Sequence, residues 1–174
     1  MEIKLFKPKF YSSPYIFLGS LVAFLLLLII IIPILMIKIE SKIDFPIIII
    51  LSILFMFIII HNLNLILIYK TMRYEFRDDG LHLICGKYHE KIDYKNILGY
   101  EKRNLKINLM ASHRFPGFAL VDVLYSDIGI VRMFSTSSTK NILIIKTKDR
   151  LYGITPFDEE EFIQELEKRI KEEK

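Results

Sequence analysis

Two unbroken apolar runs dominate this chain. Residues 16–37 and 45–69 contain no Lys, Arg, Asp or Glu. As helices rising about 1.5 Å per residue they reach roughly 33 and 37 Å, enough to cross a hydrocarbon core about 30 Å thick. The short segment between them carries Lys38, Glu40, Lys42 and Asp44. The pattern predicts a membrane hairpin of two helices, preceded by an N-terminal segment (residues 1–15) and followed by a soluble domain (residues 70–174).

Past Lys70 the pattern changes to alternation. Met72, Tyr74 and Phe76 take one face, and Arg73, Glu75 and Arg77 the other. Asp78-Asp79-Gly80 is a tight-turn signal, after which Leu81, Leu83 and Cys85 alternate with His82 and Ile84, so a β-hairpin is expected. Gly86-Lys87 makes the next turn. A third strand follows at 88–93, a short turn at 94–97 and a fourth strand near 98–103. Residues 104–127 are irregular: Leu105, Ile107 and Leu109 alternate, and His113-Arg114-Phe115-Pro116-Gly117 reads as a loop. Strands are expected at 128–135, 141–147 and 150–155, with residues 135–140 a solvated connection. A terminal helix begins after Asp158, a good N-cap, and Glu159, Glu160 and Glu161 suit the positive end of its dipole. Phe162, Ile163, Leu166 and Ile170 recur at helical spacing. The domain therefore reads as mainly β (α+β), with about seven antiparallel strands and a helix that plugs an open end, the pleckstrin-homology-like barrel solution.

Particular residues resemble a known family. The run Tyr74-Glu75-Phe76-Arg77-Asp78-Asp79-Gly80-Leu81, the pair Asn96-Ile97, the Arg114-Phe115-Pro116-Gly117 loop, and Ile154-Thr155-Pro156-Phe157-Asp158 followed by Glu161-Phe162 and Leu166 resemble the bacterial pleckstrin-homology-like domain family. The resemblance covers roughly residues 70–172 by pattern. It implies the fold and a membrane context, since many members have two N-terminal spans, and it implies no catalytic residues. One departure stands out: the family has a further Gly shortly after Pro-Gly, where this chain has Ala119-Leu120-Val121-Asp122.

Charge bears on orientation. Lys4, Lys7 and Lys9 precede the first run and Lys70, Arg73 and Arg77 follow the second, whereas the connecting loop has Lys38 and Lys42. By the excess of Lys and Arg on cytoplasmic flanks, a multi-pass cell-membrane protein with both termini in the cytoplasm is expected. Tyr11, Tyr15 and Tyr69 fall where an interfacial aromatic belt would lie. The first run exceeds a secretory core and lacks a small-residue cleavage site, so it reads as a retained helix. Basic and acidic residues are mixed past Lys70, without the basic face that nucleic-acid binding needs, so no nucleic-acid partner is expected. Cys85 is the single cysteine, which excludes an intramolecular disulfide.

Candidate chemistry is sparse. His82, Cys85 and His89 invite a metal reading, but His82 and Cys85 differ by three and point to opposite faces of a strand, and His89 lies beyond the turn. Asp78 and Asp79 read as turn residues, and Ser135 to Thr139 lack nucleophile-elbow spacing. No Gly-rich phosphate loop, zinc spacing or triad context is present, so no metal, cofactor or catalytic residue is expected and the chain does not read as an enzyme. Within the second run His61, Asn62 and Asn64 are polar. They suit either a small transporter site or, better for only two helices, interhelical hydrogen bonds or headgroup contacts. Lys102, Arg103, Lys106, His113 and Arg114, interleaved with apolar residues, form the candidate contact surface. The expected role is binding: a scaffold or adaptor, held in the lipid bilayer, for a protein partner or its own copy, with anionic lipid headgroups at the basic loop as the alternative.

Overall fold

A computed structural model describes residues 3–10, 13–36, 44–106, 114–115 and 118–173. The chain divides into two compact units: Tyr15–Leu67, and Met1–Pro14 together with Ile68–Lys174.

The smaller unit is built from α1 (Ser13–Met36) and α2 (Asp44–Lys70), close to the two predicted spans. Both helices are long and apolar enough to cross a membrane, with mean hydropathies of 3.0 over Pro14–Ile34 and 2.4 over Ile49–Lys70. Leu18 and Leu25 of α1 and Ile59 and Asn62 of α2 are buried, and most other large side chains of the pair are exposed.

The larger unit is a two-sheet domain. The first sheet is antiparallel and orders β1 (Lys4–Phe6), β2 (Arg73–Arg77), β3 (Gly80–Cys85) and β4 (Tyr88–Ile92). A short 3₁₀ turn, Tyr94–Asn96, leads to β5 (Ile97–Arg103). The second sheet also holds β6 (Arg114–Phe115), β7 (Phe118–Tyr125), β8 (Gly129–Ser135), β9 (Ile142–Thr147) and β10 (Leu151–Ile154), in the order β5-β9-β10-β8-β7-β6. Helix α3 (Glu159–Glu172) follows, and the Asp158 side chain accepts from Glu161 N–H at 3.0 Å, the expected N-cap.

The architecture is the expected PH-like one, but among the described residues ten strands stand where about seven were expected, β6 and β7 fall in the stretch read as irregular, and the pairing differs in two ways. The hydrogen-bonded ladder stays as two sheets rather than closing into a barrel, and β10 pairs parallel to β8. The parallel pair arises because β10 sits between its hairpin partner β9 and β8, so the connection after β8 is not a tight turn. That connection was expected to be solvated, yet Ser135 and Thr136 are fully buried. Thr155 Oγ1 accepts from Thr136 N–H at 2.9 Å, and the two threonine hydroxyls lie 2.8 Å apart. Buried hydroxyls need partners, and these fasten the connection to the end of β10.

The predicted apolar face of β2 and β3 is realised, with Tyr74, Phe76, Leu81, Leu83 and Cys85 buried in the core, while Glu75 and His82 opposite are covered too. Gly80 is required at its turn, because its φ is 142° and a Cβ there would lie 2.6 Å from the Ile92 carbonyl oxygen. The Tyr74 hydroxyl donates to the Phe134 carbonyl at 2.7 Å and accepts from Thr155 N–H at 3.2 Å, joining the two sheets, and burial pushes its ionisation upward.

Sequence patterning did not foresee a strand ahead of the first helix. β1 pairs with β2, and Phe6 enters an aromatic cluster with its centroid 5.4 Å from Phe76 and 5.3 Å from Phe162. Lys4 reaches Glu161 at 2.9 Å and Glu165 at 3.3 Å on α3. Farther along, Lys9 N–H donates to the Thr155 carbonyl and Phe157 N–H to the Lys7 carbonyl, both at 2.9 Å, and the Thr136 hydroxyl donates to the Lys9 carbonyl at 2.6 Å. On the far side of the hairpin, Tyr69 was expected in an interfacial belt. It is instead buried in the domain, edge-on to Phe10 at 5.3 Å and to Phe118 at 5.4 Å. Tyr11 lies outside the described residues. The chain thus lays one strand of the domain, leaves for the helical pair, and returns to the same folded body.

Candidate functional site

Strand β5 places Lys102 and Arg103 on alternate sides, so they do not form one basic face. Lys102 Nζ lies 2.7 Å from Glu159 Oε2 at the start of α3. Arg103 lies 3.2 Å from Glu101 and 3.1 Å from Asp127, and Glu101 also holds Lys146 at 2.7 Å. Burial works against the Glu101 charge only partly: hydrogen bonds from Lys146, the largest influence, and Arg103 hold its carboxyl below the usual range. Lys106 is exposed, and its backbone N–H donates to Asp127 at 3.1 Å. The Arg114 backbone pairs with Ala119 in the β6–β7 hairpin, and His113 lies outside the described residues.

In α2 the three polar residues part company. Asn62 is buried and its Nδ2 donates to the Ile58 carbonyl at 2.7 Å, whereas its Oδ1 has no partner among the described residues. His61 and Asn64 are exposed.

The parity argument separates Cys85 from His82 as expected. Cys85 is buried, its thiol donates toward the Ile68 carbonyl at 3.5 Å, and burial pushes its ionisation up to about 12. What sequence reasoning missed is that His82 and His89 meet. The two-residue turn at Gly86-Lys87 sets His82 opposite Lys91, so His89 falls diagonally beside His82 on the same face. His82 Nδ1 lies 2.7 Å from His89 Nε2, and His82 Nε2 lies 2.9 Å from Asp79 Oδ1. Since the ionised Asp79 only accepts, His82 carries its proton on Nε2 when neutral, and its Nδ1 accepts from His89. The ring centroids lie 4.9 Å apart with planes 27° from parallel, the end-to-end geometry of a hydrogen bond rather than of two nitrogens converging on an ion. The His82 N–H, with Lys91 behind it, holds Asp79 below the usual carboxylate range. Among the described residues no group of three or more His, Cys, Asp or Glu is arranged to hold a metal.

Beside this polar face Glu75 is clamped between Arg73 at 2.6 Å and Arg77, whose Nε lies 2.8 Å away. Burial opposes the Glu75 charge, but the two guanidinium hydrogen bonds outweigh it and its carboxyl stays below the usual range. Among the described residues the first sheet ends at β1, which pairs on one side only. Along it a shallow groove of about 650 Å³ is lined by Ile3, Leu5, Glu165, Lys168 and Arg169, with Ile3 and Leu5 exposed. An open strand edge next to a helix offers backbone hydrogen bonds and apolar contact to an extended segment.

Comparison with known proteins adds three findings. Residues 72–170 match the family described as Bacterial PH domain. A stretch of 114 residues is 33% identical to an uncharacterised protein of Clostridium acetobutylicum and covers 63% of this chain and 38% of that one, so this chain spans well under half of that relative. No solved structure matches.

Proposed function

The chain belongs to the bacterial PH domain family, and we propose that it is a multi-pass cell-membrane protein whose cytosolic domain captures a protein partner rather than transforming a substrate. The observation that carries the reading is the free edge of β1, with exposed Ile3 and Leu5 beside the α3 groove. Strand addition at such an edge draws affinity from backbone hydrogen bonds and specificity from alternate side chains. Two helices of sufficient length and apolarity support the membrane setting. The strap of residues 4–10 and the segment from Ile68 onward lie in one folded body, which supports both flanks of the hairpin being on one side of the bilayer. The Lys and Arg flanks support that side being the cytosol. Anionic lipid ranks second as a ligand, because carboxylates already hold Lys102 and Arg103.

The test is photo-crosslinking in native membranes from a reactive side chain at Leu5, compared with one at Lys148. Capture of a defined protein from Leu5 alone is expected. If no protein is captured from Leu5, the proposal fails.

A further inference from the structure

The exposed face of α2 holds a carboxamide that nothing in the described chain satisfies. Ile59 and Asn62 mark the buried face of this helix. With successive residues about 100° apart, Ile50, Ile53, Phe57, Ile60, Asn64 and Leu67 line the face opposite, spaced alternately three and four apart. The five apolar members are each more than half exposed. Asn64 is exposed among them, with no side-chain hydrogen bond to any described residue.

Within the apolar run 45–69, Asn64 lies about 10 Å from the midpoint, inside a hydrocarbon core that extends roughly 15 Å to either side. A carboxamide turned to lipid leaves two N–H groups and a carbonyl without partners, which is costly. Asn62, by contrast, already donates to the Ile58 carbonyl, and His61 sits at the flank of the exposed face.

We propose that this face of α2 is the contact between two copies of the chain, with Asn64 of each copy hydrogen-bonded to Asn64 of the other about a two-fold axis. A second copy fits better than a different helix because a carboxamide is donor and acceptor at once, so it complements itself under two-fold symmetry. The alternating three-and-four spacing lets helices pack side by side, with Asn64 at the kind of core position where a single Asn fixes register. The stripe also carries no charge that would call for an opposite charge on a different partner. The inference rests on α2 lying in lipid, as the proposed function has it.

The experiment uses the full chain reconstituted in phosphatidylcholine vesicles, with donor- and acceptor-labelled copies mixed at graded dilution in lipid. Energy transfer above the random level is expected. Asn64→Val should weaken association about 3- to 30-fold, the range for interhelical polar contacts, while Asn64→Gln restores most of it. In a Cys85→Ala background, mild oxidation should link copies through Phe57→Cys and Ile60→Cys but not through Ile66→Cys. Transfer at the random level, an Asn64→Val chain that associates as well as wild type, or equal crosslinking from Ile66→Cys overturns the pairing. Alkaline carbonate extraction of native membranes separates the two failures. A chain that washes off overturns the membrane reading, and a chain that is retained but monomeric overturns the pairing alone.

Discussion

Truncating Phe6 to alanine tests whether the strand ahead of the hairpin is part of the domain's core. Phe6 is 6% exposed and packs edge-on against Phe76 and Phe162. Removing a buried phenylalanine ring costs about 3–5 kcal/mol, and the lower end applies because a three-residue edge strand can shift to close part of the cavity. A loss of about 3 kcal/mol is roughly 150-fold in the folding equilibrium. A domain of ordinary stability, about 5–15 kcal/mol, survives that loss but opens more often. Hydrogen exchange of the full chain in lipid nanodiscs reads the change directly. The slowest amides of β2 and β10 should exchange on the order of 100-fold faster in Phe6→Ala, because exchange at such positions follows global opening. If those amides change less than about threefold while only residues 4–9 lose protection, the strap is a loose appendage and the reasoning is wrong.

Three further expectations follow from single residues. Glu75→Gln should cost about 1–2 kcal/mol at neutral pH, a reduced figure because both arginines are partly exposed. Since the folded-state pKa of Glu75 is depressed, its contribution is full above the ordinary glutamate range and disappears as the pH falls through the folded value. Denaturation midpoints of the two proteins should therefore differ at pH about 7 and draw together as the pH falls below the ordinary glutamate range, and a gap that stays constant would contradict the assignment. Cys85, with its thiol raised by burial, should react with a maleimide only as fast as the domain unfolds, so rapid labelling under native conditions would count against its placement. Val121 sits at φ 62°, the left-handed region that a β-branched residue avoids. Val121→Gly should raise stability by about 1 kcal/mol, read as a higher thermal midpoint, and a lower midpoint would refute the strain.

How far the sequence reveals the fold depends on the range of each interaction. The apolar runs and the alternation of Tyr74, Phe76, Leu81 and Leu83 are local patterns, and both are realised. So is the Asp158 cap, whose partner is three residues away. β1 was hidden because Lys4 to Phe6 is too short for a period, and its partners on β2 and α3 lie far along the chain. β7 was hidden for a different reason: Phe118, Ala119 and Leu120 are buried in succession, so the alternation that marks a half-buried strand begins only after Val121. Val121 has a positive φ, a backbone conformation that glycine adopts readily and a β-branched residue does not, so nothing in its side chain signals the local turn. Among the candidate site residues, charge alone grouped Lys102 with Arg103, whereas strand parity divides them. The meeting of His82 and His89 needed the register across Gly86-Lys87, which becomes readable only once the turn length is fixed.

One folded body is built from the segments before and after the helical pair. The most direct measurement labels single cysteines at Lys7 and Lys148, in a Cys85→Ala background, with a membrane-impermeant reagent in intact and then permeabilised cells. Neither position should react until the membrane is breached, and both should then react. If one position reacts in intact cells while the other stays silent, the two flanks lie in different compartments and cannot form one folded body.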